Sequence, residues 1–146
     1  MRPHSIILFE KVFLAAVALG IVNSLLSWGT MTAMLEDPTM RAAGMGSGFI
    51  VFSLVIGTII SLLLWYFIAR RASNVAKWIY VAIIALGVLT MVVNFANPAI
   101  PKGLYLIGAL IVLVLELYAG WLLFRPDAKV WLESRGTEGA ADPTVD

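Results

Sequence analysis

The chain has 146 residues, 61% of them hydrophobic and 13% charged, with a formal net charge of +1 and no cysteine. Soluble domains run at roughly half apolar and about a quarter charged, so an excess this large calls for lipid as a second solvent. The near-zero net charge leaves no basic footprint for nucleic acid, and the missing cysteines exclude disulfides, thiolate metal sites and cysteine catalysis.

His4 stands alone at the N-terminus and reads as a solvated polar residue, because a metal site needs several converging ligands. Beyond it the charges divide the chain. Residues 12–35, 42–69 and 78–101 carry none, and 103–124 carry one, Glu116. Crossing the hydrocarbon core takes about 20 apolar residues in a helix. The pattern predicts an all-α, integral membrane four-helix bundle over residues 1–125, with spans near 6–28, 47–69, 78–94 and 103–124. The first span is long for a signal peptide and no A-x-A-like site follows it, so it is expected to be a retained helix. All six prolines lie outside the spans, where a lost backbone hydrogen bond has other partners. Trp28, Trp65, Tyr66, Trp78, Tyr80, Tyr105 and Trp121 gather at span ends, the level that Trp and Tyr favour in a bilayer.

After the fourth span, Pro126 is expected to stop the membrane helix and Asp127 to cap a short helix over 126–134. There Lys129, Val130 and Trp131 suit a membrane surface. Residues 135–146 are small and polar and read as a disordered tail.

Lys and Arg concentrate on the cytoplasmic side of membrane proteins. Arg2, Lys11, Arg70, Arg71, Lys77, Arg125, Lys129 and Arg135 fall on one side of the predicted bundle, and only Arg41 and Lys102 on the other. Both termini are therefore expected in the cytoplasm. The loop with Glu36 and Asp37 and the 97–102 turn are expected outside.

Helices in lipid associate through small residues and polar contacts. Ser53, Gly57 and Ser61 form such a row on the second span, and Ala16, Gly20, Ser24 and Ser27 form one on the first. Ala109, Val112, Glu116 and Gly120 share a face of the fourth. These faces predict packing inside the bundle, or the seam of a homo-oligomer.

Glu116 lies near the middle of its span, where an ionised carboxylate costs several kcal/mol and the protonated form is favoured. It has three readings: cycling between protonated and ionised as cargo or protons pass, donating a hydrogen bond to Asn23, Ser24 or Thr58, or pairing with Lys11. Lys11 most simply snorkels to the nearer surface, with Glu10 in the same water or paired with Arg125. Thr90, Asn94 and Asn97 make a polar patch at the far end of the third span, which helix termination before Pro98 accounts for. No phosphate loop, H-E-x-x-H, nucleophile elbow or intramembrane haem ligand is present, so no cofactor, metal or enzymatic activity is expected.

The segments F-E-K-V-F-L-A-A-V-A-L-G-I-V-N-S (9–24) and L-Y-A-G-W-L-L-F-R-P-D-A-K-V-W-L (117–132) resemble the first and last spans of uncharacterised small bacterial inner-membrane proteins with four helices. The resemblance implies that fold and that membrane, and brings no activity. Some members of that group add a zinc-ribbon, which a chain without cysteine cannot build. Size and a membrane glutamate are also similar to small multidrug-resistance transporters. Those carry the glutamate on the first helix and have balanced charge, so their function is not carried over. The expected function is helix–helix interaction as an accessory or assembly subunit with a membrane-protein partner, or as a homo-oligomer. The alternative is a small proton-coupled carrier that uses Glu116.

Overall fold

A computed structural model describes residues 2–97 and 103–134. These form seven helices: α1 (His4–Leu26), α2 (Trp28–Leu35), α3 (Pro38–Ala42), α4 (Ser47–Ala69), α5 (Asn74–Ala96), α6 (Leu104–Leu122) and α7 (Pro126–Glu133). Four of them, α1, α4, α5 and α6, are long and apolar enough to cross a membrane. The chain is a multi-pass membrane protein by this measure, and no strand occurs among the described residues. The expected 135–146 tail and most of the 97–102 turn lie outside the described residues.

Local chemistry sets the helix limits. The first span was expected to run to 28, but α1 ends at Leu26 and the chain bends at Ser27. The ladder continues across the bend: the Ser27 N–H donates to Asn23 O at 3.0 Å and Ser27 O accepts from Met31 N at 2.9 Å. A short second helix, α2, therefore follows directly on the first, with Ser27 (φ −98°, ψ 13°) outside helical geometry between them. Asp37 caps α3, accepting from the Thr39 N–H at 2.8 Å and from the Thr39 hydroxyl, with Pro38 at the first helical position. The Thr39 hydroxyl bond, then the backbone bonds, hold the Asp37 carboxyl below its ordinary value.

The second membrane helix coincides with the expected 47–69. It closes through Ala72, whose φ of 48° lies in the left-handed region, with the Ser73 N–H bonded to Phe67 O at 3.0 Å. The Ser73 hydroxyl then caps α5 by accepting from the Ala76 N–H at 3.2 Å. As a result α5 starts four residues ahead of the expected 78. Lys77 falls inside the helix because its stem is covered and its Nζ sits 5.4 Å from the Trp78 ring centroid and 4.8 Å from that of Phe124. The helix ends at Ala96, since Asn97 precedes proline. The expected fourth span, 103–124, is α6 with its last two residues in a turn.

The packing is lopsided. The most extensive helix contact is α1 on α6, with α4 and α5 completing the bundle. The main core gathers Ile6, Phe9 and Phe13 of α1, Leu64 and Ile68 of α4, Tyr80 and Ile84 of α5, and Ala119, Leu122 and Leu123 at the end of α6. All of these lie toward the end of the bundle that carries the N-terminus, the α4–α5 turn and α7. Phe9, Phe13 and Tyr80 fill its centre, with ring centroids 5.3–5.9 Å apart. Gly120 makes room for Ile84 and Tyr80: a Cβ there would lie 3.0 Å from Ile84 Cδ1 and 3.9 Å from Tyr80 Cε1.

Polar contacts clasp the same end. Asp127 is not the N-cap of α7, a place taken by Arg125. Instead its carboxylate accepts from the Ser5 N–H at 3.1 Å and the Ser5 hydroxyl at 2.8 Å. Burial alone would raise the Asp127 carboxyl, but the Ser5 bonds and backbone N–H groups outweigh it and hold it below its ordinary value. Glu10 pairs with Arg2 at 2.6 Å and Arg70 at 2.9 Å, not with Arg125. Toward the opposite end buried residues thin out to Ala16, Ser27, Ile50, Met91 and Leu106, and clefts open between the four long helices.

Candidate intramembrane binding cleft

Where the helices separate, two clefts flank the α1–α6 pair. The larger, about 460 Å³, lies between α1, α4 and α6 under α2. Gly20, Ser53, Gly57 and Ser61 line it, with Met31 and Met34 of α2 over its far end. The smaller, about 350 Å³, lies between α1, α5 and α6 and runs from Gly87 to Asn94 and Tyr105. Glu116 lines both, and no other charged side chain lines either.

Glu116 is half-buried. No hydrogen bond or ion pair to its carboxyl joins it to another of the described residues. The three partners considered from the sequence are otherwise engaged. Ser24 donates to Gly20 O at 2.9 Å and Thr58 to Leu54 O at 2.7 Å, each within its own helix. Asn23 donates its amide across to Tyr105 O at 3.2 Å. Lys11 is exposed and lines neither cleft. The backbone of Glu116 is fixed, however, because the Tyr80 hydroxyl donates to its carbonyl at 2.9 Å. A carboxyl held in place by its main chain, with its own oxygens uncommitted and few polar neighbours, is free to bind a cation or to donate a hydrogen bond.

The small-residue rows divide between two duties. Gly20 faces α6, with Val112 Cγ1 3.9 Å from where a Cβ would sit, and Gly120 packs on α5 as above. Ala109 lines the smaller cleft. Ser53 and Gly57 are exposed, and a Cβ on Gly57 would meet nothing within 4 Å, so this row borders open space instead of meeting a helix. Ala109 and Gly120 thus share a face of α6 in sequence but look toward different neighbours.

Two features are not marked by hydropathy or charge. Gly108 is one: any side chain there would collide with the Asn23 amide, so its missing Cβ is what allows the α1–α6 hydrogen bond. Its signal was the four-residue step Gly108–Val112–Glu116, which sets all three on one face of α6. The other is α2, which the span limits had absorbed into a loop. Among the described residues no three His, Asp or Glu side chains converge on a metal position. No protein family model, curated protein or solved structure matches this chain.

Proposed function

We propose that the chain is a small carrier-type protein of a bacterial inner membrane, with both termini in the cytoplasm. In this reading it takes an amphipathic molecule with a cationic head into the α1–α4 cleft, against the Glu116 carboxyl. The observation that carries the reading is an uncommitted, half-buried carboxyl on the wall of a cleft of about 460 Å³. That volume falls in the range of small-molecule pockets, which are mostly apolar with a few placed polar groups. It is far too small for a whole transmembrane helix. The eight-to-two division of Lys and Arg supports the orientation.

The test is equilibrium binding of a fluorescent lipophilic cation to the full chain in lipid discs. Wild type is expected to bind saturably and Glu116→Gln to lose at least about ten-fold in affinity, about 1.4 kcal/mol. Binding is expected to weaken as pH falls, since protonation removes the charge that pairs with the cation. Equal affinity of wild type and Glu116→Gln overturns the reading.

A second reading is helix–helix interaction with a membrane-protein partner or a second copy, and the uncovered Ser53–Gly57–Ser61 row favours it. Gly57→Leu separates the two. It would block a docked helix and abolish a complex, whereas the cleft would lose only part of its volume.

A further inference from the structure

The two clefts differ in lining although they share Glu116. Six of the eighteen residues around the larger carry polar side chains, against six of thirteen around the smaller. In the smaller these six are Asn23, Ser24, Thr90, Asn94, Tyr105 and Glu116, spread over three helices. They are distributed as a polar strip along the cleft, from Glu116 at mid-helix to Asn94 at the far end of α5. Lipid tails gain nothing from such a strip, whereas each buried water needs two to four polar partners of this kind. A volume of about 350 Å³ holds several waters.

The strip is closed toward α7. At Glu116 it meets the core: the Tyr80 hydroxyl bonds to Glu116 O, and Phe9 and Phe13 pack on the Tyr80 ring. Phe9, Phe13 and Tyr80 are each at most 2% exposed, so the end with α7 is sealed by aromatic and aliphatic side chains. From there no lining residue of either cleft reaches α7.

We propose that the α1–α5–α6 cleft is a water-filled lane through which Glu116 exchanges protons with the side of the membrane opposite α7, while the larger cleft is left to the amphipathic cargo. The inference rests on the reading above only for the role of Glu116 as the acid at the lane's inner end. The titratable and hydroxyl groups that share a cleft wall or a bond with Glu116 are few: the Tyr80 hydroxyl from α5, Ser24 from α1, Thr58 and Ser61 from α4, and Tyr105 about three turns away on its own helix. Among the described residues none of these carries a charge at neutral pH, so proton traffic to Glu116 runs through water and hydroxyl groups. Protonation from that side would release a cationic cargo into it, which gives the shared carboxyl a coupling role.

The cysteine-free sequence allows a direct test. Single cysteines are placed in the full chain, reconstituted in liposomes of known orientation without cargo, and exposed to a charged, membrane-impermeant methanethiosulfonate. The reagent reacts with thiolate, which forms in water and not in lipid. Thr90→Cys and Ala109→Cys, on facing walls of the lane, are expected to react at least about ten-fold faster than Leu89→Cys and Ile111→Cys, and only from the side opposite α7. Leu89 and Ile111 are 60% and 52% exposed on the outer surface of the bundle, where lipid covers them, at nearly the same depths. Using both walls guards against one variant failing to fold, which monodisperse elution checks. Lane cysteines that react no faster than their lipid-facing neighbours, or that react from the α7 side, overturn the proposal. Because labelling is read without cargo, a dry lane leaves the binding titration to stand or fall by its own result.

Discussion

A methyl group on Gly108 would run into the Asn23 amide, and the bond from that amide to Tyr105 O is the one side-chain hydrogen bond joining α1 to α6 within the open half among the described residues. Gly108→Ala is therefore expected to destabilise the bundle by about 2 kcal/mol through overpacking. Asn23→Ala in the same chain should recover most of that loss, because it removes the obstacle. Unfolding of the four chains of this double-mutant cycle in mixed micelles checks it, and additive losses would contradict it. At the other end, Ser5 is buried and both its bonds go to Asp127. Ser5→Ala is expected to cost about 1 kcal/mol, toward the low end for a bond to a carboxylate because Asp127 faces water. The sign with pH follows from the depressed Asp127 value. The unfolded chain takes up the proton first, so the clasp contributes fully above the ordinary value of 3.8 and loses its contribution as pH falls through the lower folded value. Acid unfolding of wild type and Asp127→Asn should converge in that window and diverge above it.

Among the elements, the α4–α5 turn carries the one non-glycine residue in the left-handed region among the described residues, Ala72. A left-handed alanine costs about 1–2 kcal/mol, and its buried methyl returns about 0.8 kcal/mol, so the two nearly cancel. Ala72→Gly is expected to stabilise slightly, by less than about 1 kcal/mol, and Ala72→Val to destabilise clearly, since branching at Cβ is poorly tolerated at positive φ. Denaturant titrations of the two variants check the opposite signs. The same turn illustrates what was legible. The expected 47–69 limits match α4 because Gly46 and Arg70 are strong punctuation in the sequence. The start of α5 was misplaced by four residues because Lys77 reads as a charge at a boundary, when its stem is covered and its ammonium rests on Trp78 and Phe124. Likewise α2 was hidden because Ser27 bends the helix without breaking its hydrogen-bond ladder. Hydropathy reports where a helix meets lipid, and it carries no information on bends or on a lysine that snorkels.

At the scale of the whole molecule, four spans were readable from charge-free stretches, but the pairing of those spans was not. Many small-residue rows are compatible with many packings, and only contacts decide that α1 lies on α6 and that Ser53, Gly57 and Ser61 border a cleft. Glu116 stood out in sequence as the one charge near the middle of a span. What could not be read was that Tyr80 fixes its main chain, that two clefts converge on it, and that an aromatic core seals one end. The resulting asymmetry, closed at the α7 end and open at the other, is the arrangement a one-sided intramembrane binding site requires. It also makes the cleft the place where small cargo and a partner helix compete as explanations.

The most direct measurement is the mass of the full chain released from native lipid discs, for wild type and Glu116→Gln side by side. The wild-type chain is expected to carry a small-molecule adduct that is absent from Glu116→Gln, with both proteins folded. A stoichiometric second protein chain, retained equally by both and with no adduct, would contradict this expectation and favour the helix–helix reading.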